Sequence, residues 1–165
     1  MIKINTSFIK TALGPLKISE NNGKLISLSF CDDKDFEKYK NTEEVCDFCG
    51  KVARQIDEYI QGKRRVFDIP IEFFATPFRE AVWRELLAIP YGETATYSEI
   101  AERISKPKSQ RAVGMACNKN PIAIIVPCHR VVGKGGGLTG YAYGTDIKAK
   151  LLEIEKNSKQ KNFKS

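Results

Sequence analysis

The sequence predicts an α+β protein: a small N-terminal antiparallel sheet with a helix across it, followed by a mostly helical half. Three observations predict this. The first 30 residues hold three short alternating runs separated by Gly, Pro and Asn-Gly signals. Beyond Pro77, apolar residues recur at helical spacing behind capping residues. The charge divides at the same place: residues 1–75 carry 12 Lys/Arg against 12 Asp/Glu, and residues 76–165 carry 15 against 8, so the net +7 lies wholly in the second half.

The elements follow in order. Lys3–Ile9, Gly14–Ser19 and Lys24–Phe30 read as strands, with Asn22-Gly23 a hairpin turn. Asp32 to Lys40 is polar, a loop or short helix. Val45 to Tyr59 is a helix, because Val45, Cys49, Val52, Ile56 and Tyr59 recur on one face. Val66–Phe73 is expected as the last strand of the sheet. Thr76 caps the next helix, Pro77 suits its first position, and Phe78, Val82, Leu86 and Ile89 form its apolar face. Thr96-Tyr-Ser-Glu99 is a capping box opening a short helix through Ile104. After Pro107, Ser109 is expected to cap a second short helix, Gln110 to Asn118. The pair looks like a helix-turn-helix, with an ordinary helical hairpin as the alternative that the residues alone favour. Ile122 to Val126, an apolar run between two prolines, is expected as a buried strand. Gly133-Lys-Gly-Gly-Gly137 lacks the ending of a phosphate loop and reads as a plain flexible connection. A final helix runs from Asp146 to Ile154, and residues 158–165 form a basic, disordered tail.

With 165 residues, 42% hydrophobic and 28% charged, the composition is that of a folded domain or two small ones, not of a disordered chain. There is no run of 18 apolar residues and no signal-peptide pattern, and the cysteine count of five is odd. These features predict a cytoplasmic protein with no membrane partner. Positive charge confined to one half fits a polyanionic partner or a merely solubilising surface.

The chemistry concentrates at one dipeptide. The only histidine, His129, adjoins Cys128. A free thiol is only about 3% thiolate at neutral pH, so a neighbouring base suits an activated nucleophile; a buried cysteine beside an incidental histidine is the alternative. Adjacent side chains diverge, so a bridging water fits better than a direct Cys–His bond. Cys46-x-x-Cys49 with Cys31 falls one ligand short of a closed zinc site, and one helix face explains the spacing as well; no metal is expected. In the second short helix, Arg111-Ala-Val-Gly-Met-Ala116, small residues permit close backbone approach around one projecting arginine.

Pro127-Cys-His-Arg-Val131 resembles the active-site signature of the O6-alkylguanine-DNA alkyltransferases, the methylated-DNA–protein-cysteine methyltransferases. The resemblance extends through Tyr91-Gly-Glu-Thr94, Thr96-Tyr-Ser-Glu-Ile-Ala101, Arg111-Ala-Val-Gly114, Asn120-Pro121 and Leu138-Thr-Gly-Tyr-Ala142, over residues 76 to 156 or so, in the family's order. It implies a ribonuclease-H-like N-terminal support domain over residues 1–75. It also implies a winged helix-turn-helix-like catalytic and DNA-binding domain over 76–157.

The resemblance further implies irreversible transfer of an alkyl group from guanine O6, and by extension thymine O4, to Cys128, without a cofactor and in one turnover. His129 would draw the thiol proton through a water, oriented by Glu155, with Asn120 bracing the turn. Tyr97 would rotate the flanking phosphate and serve the leaving purine, and Arg111 would fill the gap left by the flipped nucleotide. Val131, Tyr141, Ala142 and Tyr143 would line the base pocket, while Ser98, Lys106 and Lys134 would touch DNA backbone. The implied partner is double-stranded DNA approached from the minor groove by a monomer. Elementary chemistry agrees: reaction at a base edge requires extrusion of the base, and a small-residue helix suits a distorted minor groove.

Two departures stand out. Tyr143-Gly144 replaces a family Gly-Gly pair, so Tyr143 would narrow the pocket against bulky alkyl groups. Cys117 occupies the helix facing the pocket, as a packing residue or a second reactive thiol. The rival readings are a non-catalytic lesion-binding relative, which would carry another residue at position 128, a helix-turn-helix regulator with a structural Cys128, and a cysteine hydrolase, which would need a separate histidine.

Overall fold

The structure, a computed structural model, describes residues 2–42 and 44–161. The fold is α+β, in two compact units: Met1–Phe74 with Pro121–Ala123, and Ala75–Asn120 with Ile124–Ser165.

The first unit is built on β1 (Ile4–Thr11), β2 (Gly14–Asn21) and β3 (Lys24–Phe30), an antiparallel sheet in sequence order. Asn21 pairs with Lys24 across a two-residue turn in which Asn22 and Gly23 both adopt positive φ, at 51° and 76°. This is the geometry that makes Asn-Gly a hairpin signal. Two helices rather than one pack on β1 and β2: α1 (Asp33–Tyr39), capped by Asp32, and α2 (Asp47–Ile60).

Val66–Phe73 is not a strand. It touches β3 through a single bridge, in which Leu25 N–H donates to Pro70 O and Glu72 N–H to Leu25 O, at 2.8 and 3.0 Å. Pro70 has no N–H to extend the ladder. The buried Gln55 amide takes the Asp68 backbone instead, accepting from its N–H at 2.9 Å and donating to its carbonyl at 3.4 Å. Further along β3, Leu28 bonds Pro121 O and Ala123 N–H, both at 2.8 Å.

The second unit opens with α3 (Pro77–Leu87), where Thr76 Oγ1 accepts the Arg79 N–H and Pro77 holds the first position. The single tryptophan, Trp83, is buried on this helix, and its Nε1 donates to Ala116 O at 2.8 Å. β4 (Ala95–Thr96) lies parallel to β5 (Val131–Val132). α4 (Tyr97–Arg103) begins with the full Thr96–Glu99 capping box. It packs against α5 (Gln110–Asn118), which has no side-chain cap: Ser109 Oγ donates to Lys106 O at 2.6 Å and is spent on the preceding turn.

Ile122–Val126 is buried as expected but is a turn, not a strand. Ile124 sits at φ +71°, a left-handed conformation that no strand accommodates. The glycine-rich segment closes on itself, Gly133 N–H donating to Gly137 O at 2.9 Å. The final helix, α6 (Thr145–Lys161), runs seven residues beyond Ile154 and buries Ser158. Residues 155–161 contain no Gly or Pro and end in lysines that complement the helix dipole, so they continue the helix rather than form a disordered tail. The remainder of the expected tail, 162–165, lies outside the described residues. No helix among those described is long and apolar enough to cross a membrane.

Candidate active site

Cys128 opens a one-turn 3-10 helix, Cys128–Arg130, between Pro127 and β5. The turn forms because Cys128 N–H donates to Val126 O and Arg130 N–H to Pro127 O, at 2.8 and 2.9 Å. It directs three consecutive side chains to separate tasks, and all three are buried.

Cys128 Sγ accepts a hydrogen bond from Asn120 Nδ2 at 3.2 Å. The same amide donates to Val126 O at 2.8 Å, so Asn120 ties the loop that precedes the thiol to the thiol itself. Burial pushes the Cys128 thiol up, while the Asn120 bond and the Lys148 charge favour its anion. The resting sulfur is therefore a thiol.

His129 is fully buried and meets Glu155 of α6, Nε2 to Oε2, at 2.6 Å. Burial holds the imidazole below its ordinary pKa and outweighs the Glu155 carboxylate. The histidine is neutral, as a base must be. Burial alone would raise Glu155, but His129 and Arg130 overcome it and hold the carboxyl at about 2. Arg130 grips this carboxylate through Nε at 2.8 Å and Nη2 at 3.3 Å, and donates Nη1 to Ile89 O at 2.7 Å. Gly92 N–H adds a fourth donor at 3.0 Å. A glycine suits this place: φ is +78°, and a Cβ would lie 2.8 Å from Lys159 Cδ, so the lysine side chain would have to shift.

Around the thiol stand Tyr97, Tyr141 and Tyr143. Burial raises all three hydroxyls first; charge on Cys128 adds to this at Tyr141 and Tyr143, and charge on Cys117 ahead of that on Cys128 does so at Tyr97, where the bond to Thr139 opposes it. Tyr97 Oη donates to Thr139 O at 3.0 Å. Tyr141 and Tyr143 meet edge to face, with centroids 5.6 Å apart, and the buried Tyr141 Oη has no hydrogen-bond partner. Val131 is buried, its carbonyl accepting from Lys148 Nζ at 2.5 Å, and Ala142 is exposed. Lys148 Nζ also donates to Thr139 O at 3.0 Å, stitching β5 to the tyrosine loop.

Ser98, Lys106, Arg111 and Lys134 are all exposed, apart from the buried cluster. Arg111 and Tyr97 line one open groove of about 290 Å³, floored by Gly114 and edged by Asn118, Thr139 and Gly140. Val113, Ala116 and Cys117 of α5 face the core, while Met115 is 63% exposed on the opposite face. Cys117 is buried on the core side of α5, and burial pushes its thiol up to about 12. Among the described residues no cluster of metal-binding side chains occurs. Cys46 is the N-cap of α2 rather than a member of its face.

Arg130 and Lys148 were not singled out by sequence reasoning. A signal for Lys148 existed: Lys148, Leu151, Glu155 and Ser158 recur at helical spacing, and this mixed polar stripe is the buried face of α6.

Two family models match the chain. That of the 6-O-methylguanine DNA methyltransferase DNA binding domain covers residues 77–157, and that of the ribonuclease-like domain of the same methyltransferase covers residues 4–73. The methylated-DNA–protein-cysteine methyltransferase of Methanosarcina mazei is 47% identical over 151 residues, spanning 91% of this chain and 96% of that relative. The Mycobacterium tuberculosis O6-methylguanine methyltransferase superposes with a TM-score of 0.83 at 37% identity, over 94% of each chain. A structure of Mycobacterium tuberculosis OGT in complex with DNA superposes at 0.81 and 37% identity, over 93% of each chain.

Proposed function

The chain belongs to the 6-O-methylguanine DNA methyltransferase family, and from that premise we propose that Cys128 removes the alkyl group from O6 of guanine in duplex DNA, once and irreversibly. The broader activity is that of a methylated-DNA–protein-cysteine methyltransferase: DNA repair by methyl transfer to a protein cysteine. One observation carries the finer reading. The only histidine of the chain is buried and neutral beside a buried thiol, with its far nitrogen fixed by a carboxylate.

With the Nε2 proton held by Glu155, Nδ1 is the basic nitrogen of His129. It takes the Cys128 proton through a water, and the imidazolium so formed is met by Glu155. The thiolate, supported by Asn120 and Lys148, attacks the alkyl carbon. An S–C bond forms, the C–O6 bond breaks, and its electron pair leaves on guanine O6. A proton delivered to the purine completes the exchange. Tyr97 serves that role, and the unpartnered Tyr141 hydroxyl supplies a further donor toward the base. The product is a thioether, which no group of the site can cleave, so turnover ends there. Thymine O4 presents the same bond with a smaller base and fits the same chemistry.

DNA lies against the exposed face of α5, entering through the minor groove, with Ser98, Lys106 and Lys134 on backbone phosphates. The target nucleotide is flipped and Arg111 fills its place. Replacing Arg111 by Ala is expected to slow transfer from duplex DNA about 10²-fold, the equivalent of the few kcal/mol of unstacking it offsets. Transfer from the free base would be nearly unaffected. Equal slowing on both substrates would remove Arg111 from this role.

Tyr143 sets the size of the alkyl group. Tyr143→Gly is expected to raise the benzyl-to-methyl rate ratio about tenfold, the scale of a pocket-size effect. An unchanged ratio in paired single-turnover assays would exclude it. The whole reading is tested by intact mass after incubation with duplex DNA containing one O6-methylguanine. One added methylene per molecule is expected, carried on the tryptic peptide 120–130 that holds Cys128. Repeated turnover of unmodified protein would overturn the mechanism, and binding without modification would favour a lesion-binding role.

A further inference from the structure

The first unit carries a second pair of thiols that alkyl transfer does not use. Cys46 and Cys49 lie three residues apart at the start of α2. Cys46 is the N-cap, and its Sγ accepts the Cys49 N–H at 3.3 Å. That contact curls the Cys46 side chain back over the first turn, toward the residue whose thiol it would have to meet. Residues at this spacing on a helical turn have Cβ atoms about 5–6 Å apart, and a disulfide needs about 3.5–4.5 Å, so closing the bond draws the N-cap backbone of Cys46, which is extended at ψ 155° and lies outside the helix, inward by about 1–2 Å.

The pair is asymmetric. Cys46 is half-buried at the mouth of the turn, whereas Cys49 is fully buried behind it, next to Ser7. Burial pushes the Cys49 thiol up to about 12, so it does not react unaided. An accessible thiol backed by a buried partner three residues on is the arrangement of a dithiol redox couple.

We propose that Cys46 and Cys49 form a reversible thiol–disulfide couple, in which Cys46 meets a peroxide or a small disulfide and Cys49 resolves the product. With peroxide, Cys46 sulfur attacks one oxygen and the O–O bond breaks, giving a sulfenic acid and water. Cys49 sulfur then displaces that hydroxyl as a second water, so two thiols and one peroxide become one disulfide and two waters. With glutathione disulfide, Cys46 displaces one glutathione thiol to give a mixed disulfide, and Cys49 displaces the second. The reaction is independent of the alkyl-transfer reading and survives its failure.

Mass spectrometry of the full-length protein tests it directly, because trypsin places each cysteine usefully. The peptide 41–51 contains Cys46 and Cys49 together, and Cys31, Cys117 and Cys128 fall on three other peptides. After exposure to glutathione disulfide, peptide 41–51 is expected to lose two hydrogens before any other peptide is modified, and dithiothreitol is expected to restore them. Cys49→Ser is expected to trap glutathione on Cys46. Cys46→Ser keeps a good cap, so it folds, and is expected to leave Cys49 unmodified. A bond from Cys46 to Cys31, glutathione trapped on Cys49, or oxidation of Cys128 ahead of the pair would each overturn the proposal. The wild-type measurement decides it even if Cys49→Ser does not fold.

Discussion

Replacing Cys128 by Ser is expected to abolish alkyl transfer, by ~10⁴-fold or more, while leaving the fold and the affinity for undamaged duplex DNA nearly intact. The hydroxyl preserves what the thiol does at rest, accepting from Asn120 Nδ2, so the 120–126 loop keeps its anchor. What it cannot do is give up its proton to a neutral imidazole. The Cys128 thiol is already pushed up by burial, and only its intrinsic acidity, the Asn120 bond and the Lys148 charge bring its anion within reach of His129. An alcohol starts many orders of magnitude further away. Gel-shift titrations and single-turnover transfer should therefore separate in this variant. Loss of both together would mean that Cys128 has a structural role, as in a helix-turn-helix regulator.

The second large effect is expected at Glu155. Its carboxylate accepts from His129, from two nitrogens of Arg130 and from Gly92 N–H. Glu155→Gln removes the anion and leaves Arg130 buried without its counter-charge. Breaking a buried pair this way costs about 3–5 kcal/mol, which for a chain of this size lowers Tm by roughly 10 °C. An amide also replaces an acceptor by a donor at one of its two positions, so either His129 or Arg130 loses its partner.

The effect should depend on pH, with a definite sign. Glu155 titrates lower in the folded protein, at about 2, than its ordinary value of 4.5. The stability it contributes is complete above 4.5 and is lost as pH falls toward 2. His129 is likewise held below its ordinary value of 6.5, so the wild-type protein also begins to lose stability as pH drops beneath 6.5. Thermal unfolding from pH 7 to pH 3 should show the wild-type advantage over Glu155→Gln narrowing at the acid end. A constant gap, or a gap of less than a degree at pH 7, would show that the carboxylate is not what holds the cluster.

Much of this arrangement was legible in the sequence, and what was not has physical reasons. Caps and turns that depend only on near neighbours came through: Asn22-Gly23, Thr76-Pro77 and the Thr96–Glu99 box each depend on residues within three positions. Ser109 looked like the same signal, but its hydroxyl had a closer acceptor in Lys106 O. The two false strands share a cause. Val66–Phe73 and Ile122–Val126 have the composition of strands, yet a strand also needs an edge to pair with, and alternation in one segment says nothing of the other. At the first, the Gln55 amide occupies the backbone; at the second, Ile124 turns the chain after one bridge. Cys128 and His129 were legible because they are adjacent, whereas Asn120 and Glu155 were named only by the family resemblance. Arg130 was in view without a task, since its partners Ile89 and Glu155 lie 41 and 25 residues away. Lys148 was hidden for the opposite reason: lysine is normally a surface residue, and its burial answers to two carbonyls that sequence does not place beside it.

The bond from the Trp83 indole to Ala116 O makes the chain its own optical gauge. With a single tryptophan, the indole emission excited at about 295 nm has one source. That source is buried, and its N–H is fastened to the last turn of the helix bearing Arg111, one residue before Cys117. A rearrangement that pulls this turn away, whether by docking on a duplex or by an alkyl group on Cys128, is expected to loosen the indole and move its emission toward the red. Occupancy of the site is thus expected to be readable from ultraviolet-excited emission of the unlabelled protein.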